Sequence, residues 1–360
     1  MLLFYASGHG LGHISRESGV MKALKKLRPE LKLGVRTPAA EWFVKESIPP
    51  GTLYQPAQLD VGVLQIDSLQ MEILGTLEKY AGLISRKADI IAAEAEWCLR
   101  HSVELIISDI PPFAFDIAQK VGVPSICIAN FSWDWIYRPY VEMFPDYEYV
   151  IEDIAESHSK CGLCLQTPFS GDLSSFPRRR AIPLIGRSSH LSKEEARARA
   201  GFPPDMKVIL FSFGGFGLKN AEELKVDLED DTLIVVTQPD AQAEGWLRFT
   251  KNEMKAKDLS YPDLIRAADV VITKPGYGIV SECIANETRM LYVERELFPE
   301  YEIFAAEMGK YLPAQHLPSE DFFTGRWKRY MDMLWNKPEP AEKMPVDGAE
   351  EAAGIILGML

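Results

Sequence analysis

The chain has no segment that could cross a bilayer as a helix. Nothing in its 360 residues approaches the ~20 consecutive apolar positions such a span needs. Residues 1–6 are apolar but lack a basic flank and run straight into a glycine loop, which does not fit an export signal. Positive charge is also short: 39 Lys and Arg face 52 Asp and Glu, a formal net charge of −13. A surface of that sign repels nucleic acid and anionic membranes, leaving only Arg178, Arg179 and Arg180 as a local basic patch. Cysteine is sparse, odd in number and scattered. Cys161 and Cys164 form a single CxxC with no second Cys/His pair to complete a zinc site, so they read as buried thiols rather than a metal or redox pair. These absences predict a cytoplasmic protein with no resident metal, no nucleic-acid partner and no stable membrane insertion.

What is present points to two α/β units. A chain of this length exceeds one ordinary hydrophobic core, and 47% hydrophobic with 25% charged residues is an ordinary globular composition. Short apolar runs at 2–6, 31–35, 105–108 and 125–129 alternate with helical patterns, as parallel βαβ units do. Leu77, Ala81, Ile84, Ala88, Ile91, Ala95 and Cys98 step by three and four, which predicts one long helix over 77–99. Periodicity lapses at 167–189, where Pro168, Gly171, Pro177, Pro183 and Gly186 suggest a linker. Ser192 with Glu195 three residues on predicts a capped helix start. Strands then recur at 208–213, 232–237, 270–273 and 290–293. The reading is a first unit over 1–170, a linker over 171–190 and a second unit over 191–334. An exposed connection and a final helix over 335–360 complete it.

Two glycine loops carry the chemistry. The first, residues 6–16, follows a strand and opens a helix, so its amides and the helix dipole favour an anion. Gly8 and Gly10 fit the dinucleotide fingerprint, but His13 stands where its third glycine belongs. The second strand also ends on Val35, Arg36 and Thr37 rather than on an acid, which argues against a dehydrogenase. His13 reads either as a packing histidine at a helix start or as a neutral general base in a cleft. The second loop, 273–278, leads into Ser281 and Glu282; Glu282 is either a first-turn acid or an acceptor for ribose hydroxyls. A third turn holds Gly214 and Gly215. Asp109 ends a strand, as a helix cap or an acid/base. Residues 130–137 crowd Phe131, Trp133, Asp134, Trp135 and Tyr137 behind another strand, as a lid on the core or a sugar-stacking wall.

The glycine loop followed by Ser281 and Glu282 resembles the donor site of the GT-B glycosyltransferases, including the peptidoglycan N-acetylglucosaminyltransferases and plant UDP-glycosyltransferases. Gly8 to His13 with Arg16, Leu77 to Tyr80, Glu96 with Trp97, Ser108 with Asp109 and Asn130 to Asp134 with Ile136 and Tyr137 extend the match. Phe213 to Gly215 and Gly276 to Glu282 continue it. Together they are most similar to the glycosyltransferase-like N-terminal region of plant L-arabinokinases, over roughly residues 1–312 and without the kinase region. The resemblance implies two Rossmann-like domains with parallel sheets facing a central cleft, and transfer of a sugar from a UDP-linked donor to a soluble acceptor with inversion. It implies no cofactor beyond that co-substrate. By this resemblance Gly10, Gly12, Arg16, Gly214, Gly215, Lys274, Gly276, Tyr277, Gly278, Ser281, Glu282 and Glu300 bind the donor. His9, Asn130 and Trp133 meet the acceptor, and His13, or else Asp109 or Asp134, is the base. Hydrolysis or epimerisation of a nucleotide-sugar, or binding without turnover, are the competing expectations.

Overall fold

The computed structural model describes residues 1–67, 69–214, 224–237 and 243–360. Strands in chain order are β1 (Leu2–Ala6), β2 (Leu33–Arg36), β3 (Leu53–Gln55), β4 (Leu64–Gln65), β5 (Met71–Glu72), β6 (Leu105–Asp109), β7 (Ser125–Ala129) and β8 (Leu163–Gln166). They continue with β9 (Arg179–Ala181), β10 (Lys207–Phe211), β11 (Thr232–Val236), β12 (Leu247–Arg248), β13 (Val270–Thr273), β14 (Arg289–Tyr292) and β15 (Ala314–His316).

Among the described residues these make two larger sheets, ordered β3-β2-β1-β6-β7-β8-β9 and β12-β11-β10-β13-β14-β15. Every pairing within them is parallel; only the small β4–β5 ribbon is antiparallel. Parallel sheets need helices on both faces, which is why their central strands are continuous apolar runs: β1, β6 and β7 are buried along their whole length. The chain is thus two doubly wound α/β units with the GT-B architecture.

Two expectations need correction. The stripe over 77–99 is two helices, Ile73–Ile84 and Lys87–Arg100. Ala88, which the stripe counts as core, is exposed, and the polar residues Ser85 and Arg86 break the helix so that the second half turns a different face inward. Part of the proposed linker is strand β9, hydrogen-bonded to β8 at the edge of the first sheet. The crossing between units therefore starts after Ala181. Ser192 does cap helix Lys193–Ala200, with reciprocal bonds to and from Glu195.

The chain crosses between the sheets twice, side by side. Leu184 donates its amide to the Pro345 carbonyl at 3.0 Å, and Gly348 donates to the Leu184 carbonyl at 3.1 Å. A Cβ on Gly348 would stand 2.1 Å from the Pro183 carbonyl oxygen, so only glycine lets the strands pass. Helix Gly348–Leu357 then packs on helix Gly12–Leu27, with Ala352, Ala353 and Ile356 fully buried in the core of the first unit. Ile356→Ala is expected to destabilise that unit by about 2–5 kcal/mol, read by urea denaturation. A loss under 1 kcal/mol would show that the final helix is not part of its core. No helix among the described residues is long and apolar enough to cross a membrane.

Candidate active site

Each sheet reverses strand order at one place. β1 lies between β2 and β6, and β10 between β11 and β13. Open α/β sheets bind ligands at the carboxyl ends of the strands flanking such a point. Ala6 is in register with Asp109, so the first glycine loop leaves β1 beside the carboxylate that ends β6. The loops after β10 and β13 leave together as well, with the Ser212 amide on the Ile272 carbonyl at 2.9 Å. From the loops after β1 and β13 rise helices Gly12–Leu27 and Tyr277–Ala285, whose N-termini meet: a Cβ on Gly278 would lie 3.6 Å from Gly12 Cα. Space is open over Gly10, Gly12 and Gly276, where an added Cβ would meet nothing within 4 Å, and Gly10 also needs its positive φ of 70°. Gly12, Arg16, Arg187, Gly278, Ser281 and Glu282 line the cleft between the helices.

A buried network sits at its floor. Asp109 is completely buried and takes a bidentate grip from Arg16, Nε to Oδ2 at 2.6 Å and Nη2 to Oδ1 at 2.5 Å. His13 Nδ1 lies 2.8 Å from the same Oδ1. Burial pushes the Asp109 carboxyl upward, but Arg16 and His13 outweigh it and hold the group below the usual carboxylate range. An ionised Asp109 can only accept, so His13 donates from Nδ1, and in the neutral ring the lone pair is on Nε2. That nitrogen makes no hydrogen bond among the described residues. Arg16 also donates Nη1 to Asn130 Oδ1 at 2.8 Å, and Asn130 Nδ2 donates to Glu300 Oε1 at 2.7 Å, tying the two units together. The Arg16 guanidinium lies 4.5 Å over the Tyr277 ring. Arg16, expected on the donor, thus spends its donors on Asp109 and Asn130 and fixes the Asp109–His13 pair in place.

On the other wall, Glu282 is buried and ion-paired with Arg187 of the crossing segment. Burial is the larger influence and raises the Glu282 carboxyl despite Arg187. Ser281 Oγ donates to the Gly278 carbonyl at 2.9 Å within its own helix. Tyr277 Oη accepts the Ile185 amide at 3.0 Å, which places this side chain in the interdomain packing rather than in open cleft. Lys274 is half-buried and makes no ion pair among the described residues; burial, then Arg295, hold it well below the usual lysine range. Glu300 is buried, which raises its carboxyl. Gly214 follows β10 with φ of 71°, and Gly215 lies outside the described residues.

The aromatic run is mostly core. Trp133 is fully buried, with Nε1 on Asp60 Oδ2 at 2.8 Å, so it cannot be a stacking wall for a ligand; it supports the rings of His9 and His13 from behind. Asp134 is not brought to the network: its carboxylate is committed to His158 at 3.1 Å and Ser175 at 3.2 Å, which leaves it unsuited as the base. His9 does reach the cleft, stacked on Phe298 of the opposite unit with ring centroids 5.6 Å apart. Sequence reasoning missed Arg187, Phe298 and Arg295 as site residues.

No family model matches the chain. Over 98% of its length it is 30% identical to L-arabinokinase of Arabidopsis thaliana, of which it spans about a third, 34%. Over 80% of its length it is 23% identical to an uncharacterized glycosyltransferase of Methanopyrus kandleri, covering 85% of that protein. Among solved structures, the glycotransferase of kitacinnamycin superposes with a TM-score of 0.65 at 16% identity, covering 100% of this chain and 98% of that one. A UDP-glucosyltransferase from Polygonum tinctorium gives 0.61 at 11% identity, over 99% and 92%.

Proposed function

We propose that this chain, with its GT-B fold, transfers a sugar from a nucleotide-sugar donor, UDP-linked, to a hydroxyl of a soluble acceptor with inversion at the anomeric carbon. The observation that carries the reading is the His13–Asp109 pair, locked by Arg16 at the floor of a cleft whose other wall is a helix N-terminus. In this reading His13 Nε2 takes the proton of the acceptor hydroxyl as its oxygen bonds to the anomeric carbon. The bond from that carbon to the diphosphate oxygen breaks on the opposite face, and its electron pair leaves with the nucleoside diphosphate. Asp109 stabilises the imidazolium formed. Amides at the start of helix Tyr277–Ala285, with Lys274, receive the developing charge on the diphosphate. That role asks for no divalent ion. Glu282 accepts the ribose hydroxyls.

Support for a sugar donor also comes from the names of the similar proteins, and support for UDP from the Polygonum enzyme. A thermal-shift panel of UDP-, GDP-, dTDP- and CMP-sugars tests the reading, since a ligand that binds only the folded state raises the melting temperature with its affinity. UDP-sugars are expected to give the largest shifts; no shift with any of the four would remove the proposal. Donor incubated alone is expected to release free sugar slowly, and fast release would mark a hydrolase instead.

Glu282→Ala is expected to weaken UDP binding about tenfold or more, the worth of a hydrogen bond to a charged group. Arg187, freed of its partner, keeps about a third of its side chain in water, 29%, so the fold should tolerate the change. Unchanged UDP affinity by calorimetry would place the ribose elsewhere.

A further inference from the structure

The cleft holds a second set of donors with nothing to bind. Arg295 lies just after β14 and is 6% exposed. Its Nε is buried without a partner among the described residues, and its guanidinium lies flat on Phe298, Cζ to ring centroid 3.7 Å. Among the described residues its Nη2 meets only the Met71 sulfur at 3.8 Å, a weak acceptor, and His9 Nε2 at 3.3 Å. The His9 contact sets donor against donor. His9 Nδ1 already accepts the Val63 amide at 3.1 Å. A neutral imidazole has one acceptor nitrogen, so the hydrogen is on Nε2, and a guanidinium has no acceptor at all. Burial, then Arg295, His13 and Lys274, hold His9 well below the usual histidine range, so it stays neutral.

Among the described residues no carboxylate closes on these groups, although Glu300 and Asp67 act on them from farther off. Among the described residues neither Arg295 nor Lys274 has a carboxylate within 4.0 Å, although buried charges are ordinarily paired. Glu300 spends Oε1 on Asn130, and Asp67 spends Oδ1 on the amides of Leu69 and Gln70. Burial lowers the Arg295 guanidinium to about 10, outweighing the opposite pull of Glu300 and Tyr140. The place in the cleft matters too. His9 is a neighbour of His13, ring centroids 6.4 Å apart, and Arg295 lies on the loop that leads into the helix Glu300–Glu307. This is the end of the cleft where the reacting groups would meet, away from Glu282 at the ribose end.

Building on the function proposed above, we propose that Arg295, with His9 Nε2–H, binds an oxyanion other than the diphosphate: a carboxylate or phosphate carried by the transferred sugar or by the acceptor. One oxygen between Arg295 Nη2 and His9 Nε2 would satisfy both hydrogens, and a second would meet Arg295 Nε, the two-pronged match guanidinium makes with oxyanions. The substrate pair then includes an acid, such as a uronic acid or a sugar phosphate.

Calorimetry on the intact protein decides this with five titrants: UDP, UDP-glucose, UDP-glucuronate and, in the presence of saturating UDP, glucuronate and glucose. An acid on the sugar is expected to favour UDP-glucuronate over UDP-glucose at least tenfold; an acid on the acceptor is expected to favour glucuronate over glucose by the same factor. Arg295→Met should abolish whichever preference appears and leave UDP itself within twofold. Arg295→Lys should restore part of it. The unliganded Arg295→Met protein should melt no lower than wild type, since it loses an unpaired buried charge; a lower melting point would make Arg295 a structural strut and overturn the proposal. Equal binding of acids and neutral counterparts overturns it as well. An Arg295→Met variant that loses UDP in the same proportion assigns the residue to the diphosphate and also overturns it. Should UDP, UDP-glucose and UDP-glucuronate all fail to bind wild type, the proposed function falls and this inference with it.

Discussion

His13→Ala is expected to lower turnover by about 10²–10⁴-fold, the usual range for loss of a positioned general base, while the donor dissociation constant stays within about twofold. The expectation rests on what His13 does and does not hold. Its Nδ1 is committed to Asp109 and its Nε2 to nothing among the described residues, so the ring contributes a proton acceptor rather than a tie in the fold. Removing it leaves both Asp109 oxygens on Arg16, so no buried charge is stranded. The ring also fills space against Phe131 and Trp133, and His13→Gln keeps most of that volume while removing the basic nitrogen. Both variants should therefore fail alike in turnover and bind UDP alike. Wild-type turnover in either would take the base away from His13.

Asp109→Asn should do more damage, to stability as well as to turnover. The variant leaves the buried Arg16 guanidinium without a carboxylate, and breaking a buried pair on one side costs about 3–5 kcal/mol. An amide cannot repair this, because its nitrogen would face an Arg16 donor in either orientation. The cost should depend on pH in one direction. Asp109 is depressed in the folded protein, so the stability it contributes is present above the unfolded carboxyl value of about 3.9 and lost as pH falls through the folded value. Urea denaturation of wild type and variant should differ fully at pH 7, and the gap should close as the solution is acidified. A gap that stays constant with pH would mean that Asp109 is not ionised in the fold.

The parts of this account that local pattern encodes were legible without coordinates. A glycine loop between an apolar run and a helix start marks a turn whose amides can meet an anion, and runs such as 2–6 and 125–129 coincide with β1 and β7. The alignment of Asp109 with His13 and Arg16 was not legible in that way. They are 96 and 93 residues apart, and only the placement of β6 beside β1 joins them. Trp133 misled because a cluster of aromatics says that something large is buried, not which way it faces; the helix it begins turns it onto Asp60. The single helix over 77–99 misled because Ile84 and Ile91 keep helical spacing across a break at Ser85 and Arg86. Arg187 and Arg295 had no pattern to betray them. A lone arginine in a sequence is ordinarily a solvated one, and it is burial without a carboxylate that sets Arg295 apart.

The most direct test is a crystal structure of the protein soaked with UDP and, separately, with an intact UDP-sugar. The phosphates are expected on the amides at the start of helix Tyr277–Ala285, the ribose on Glu282, and the anomeric carbon turned toward His13 Nε2. Nucleotide bound away from that helix, or a gap that stays closed by Arg16 and Tyr277 at saturating ligand, would contradict the account.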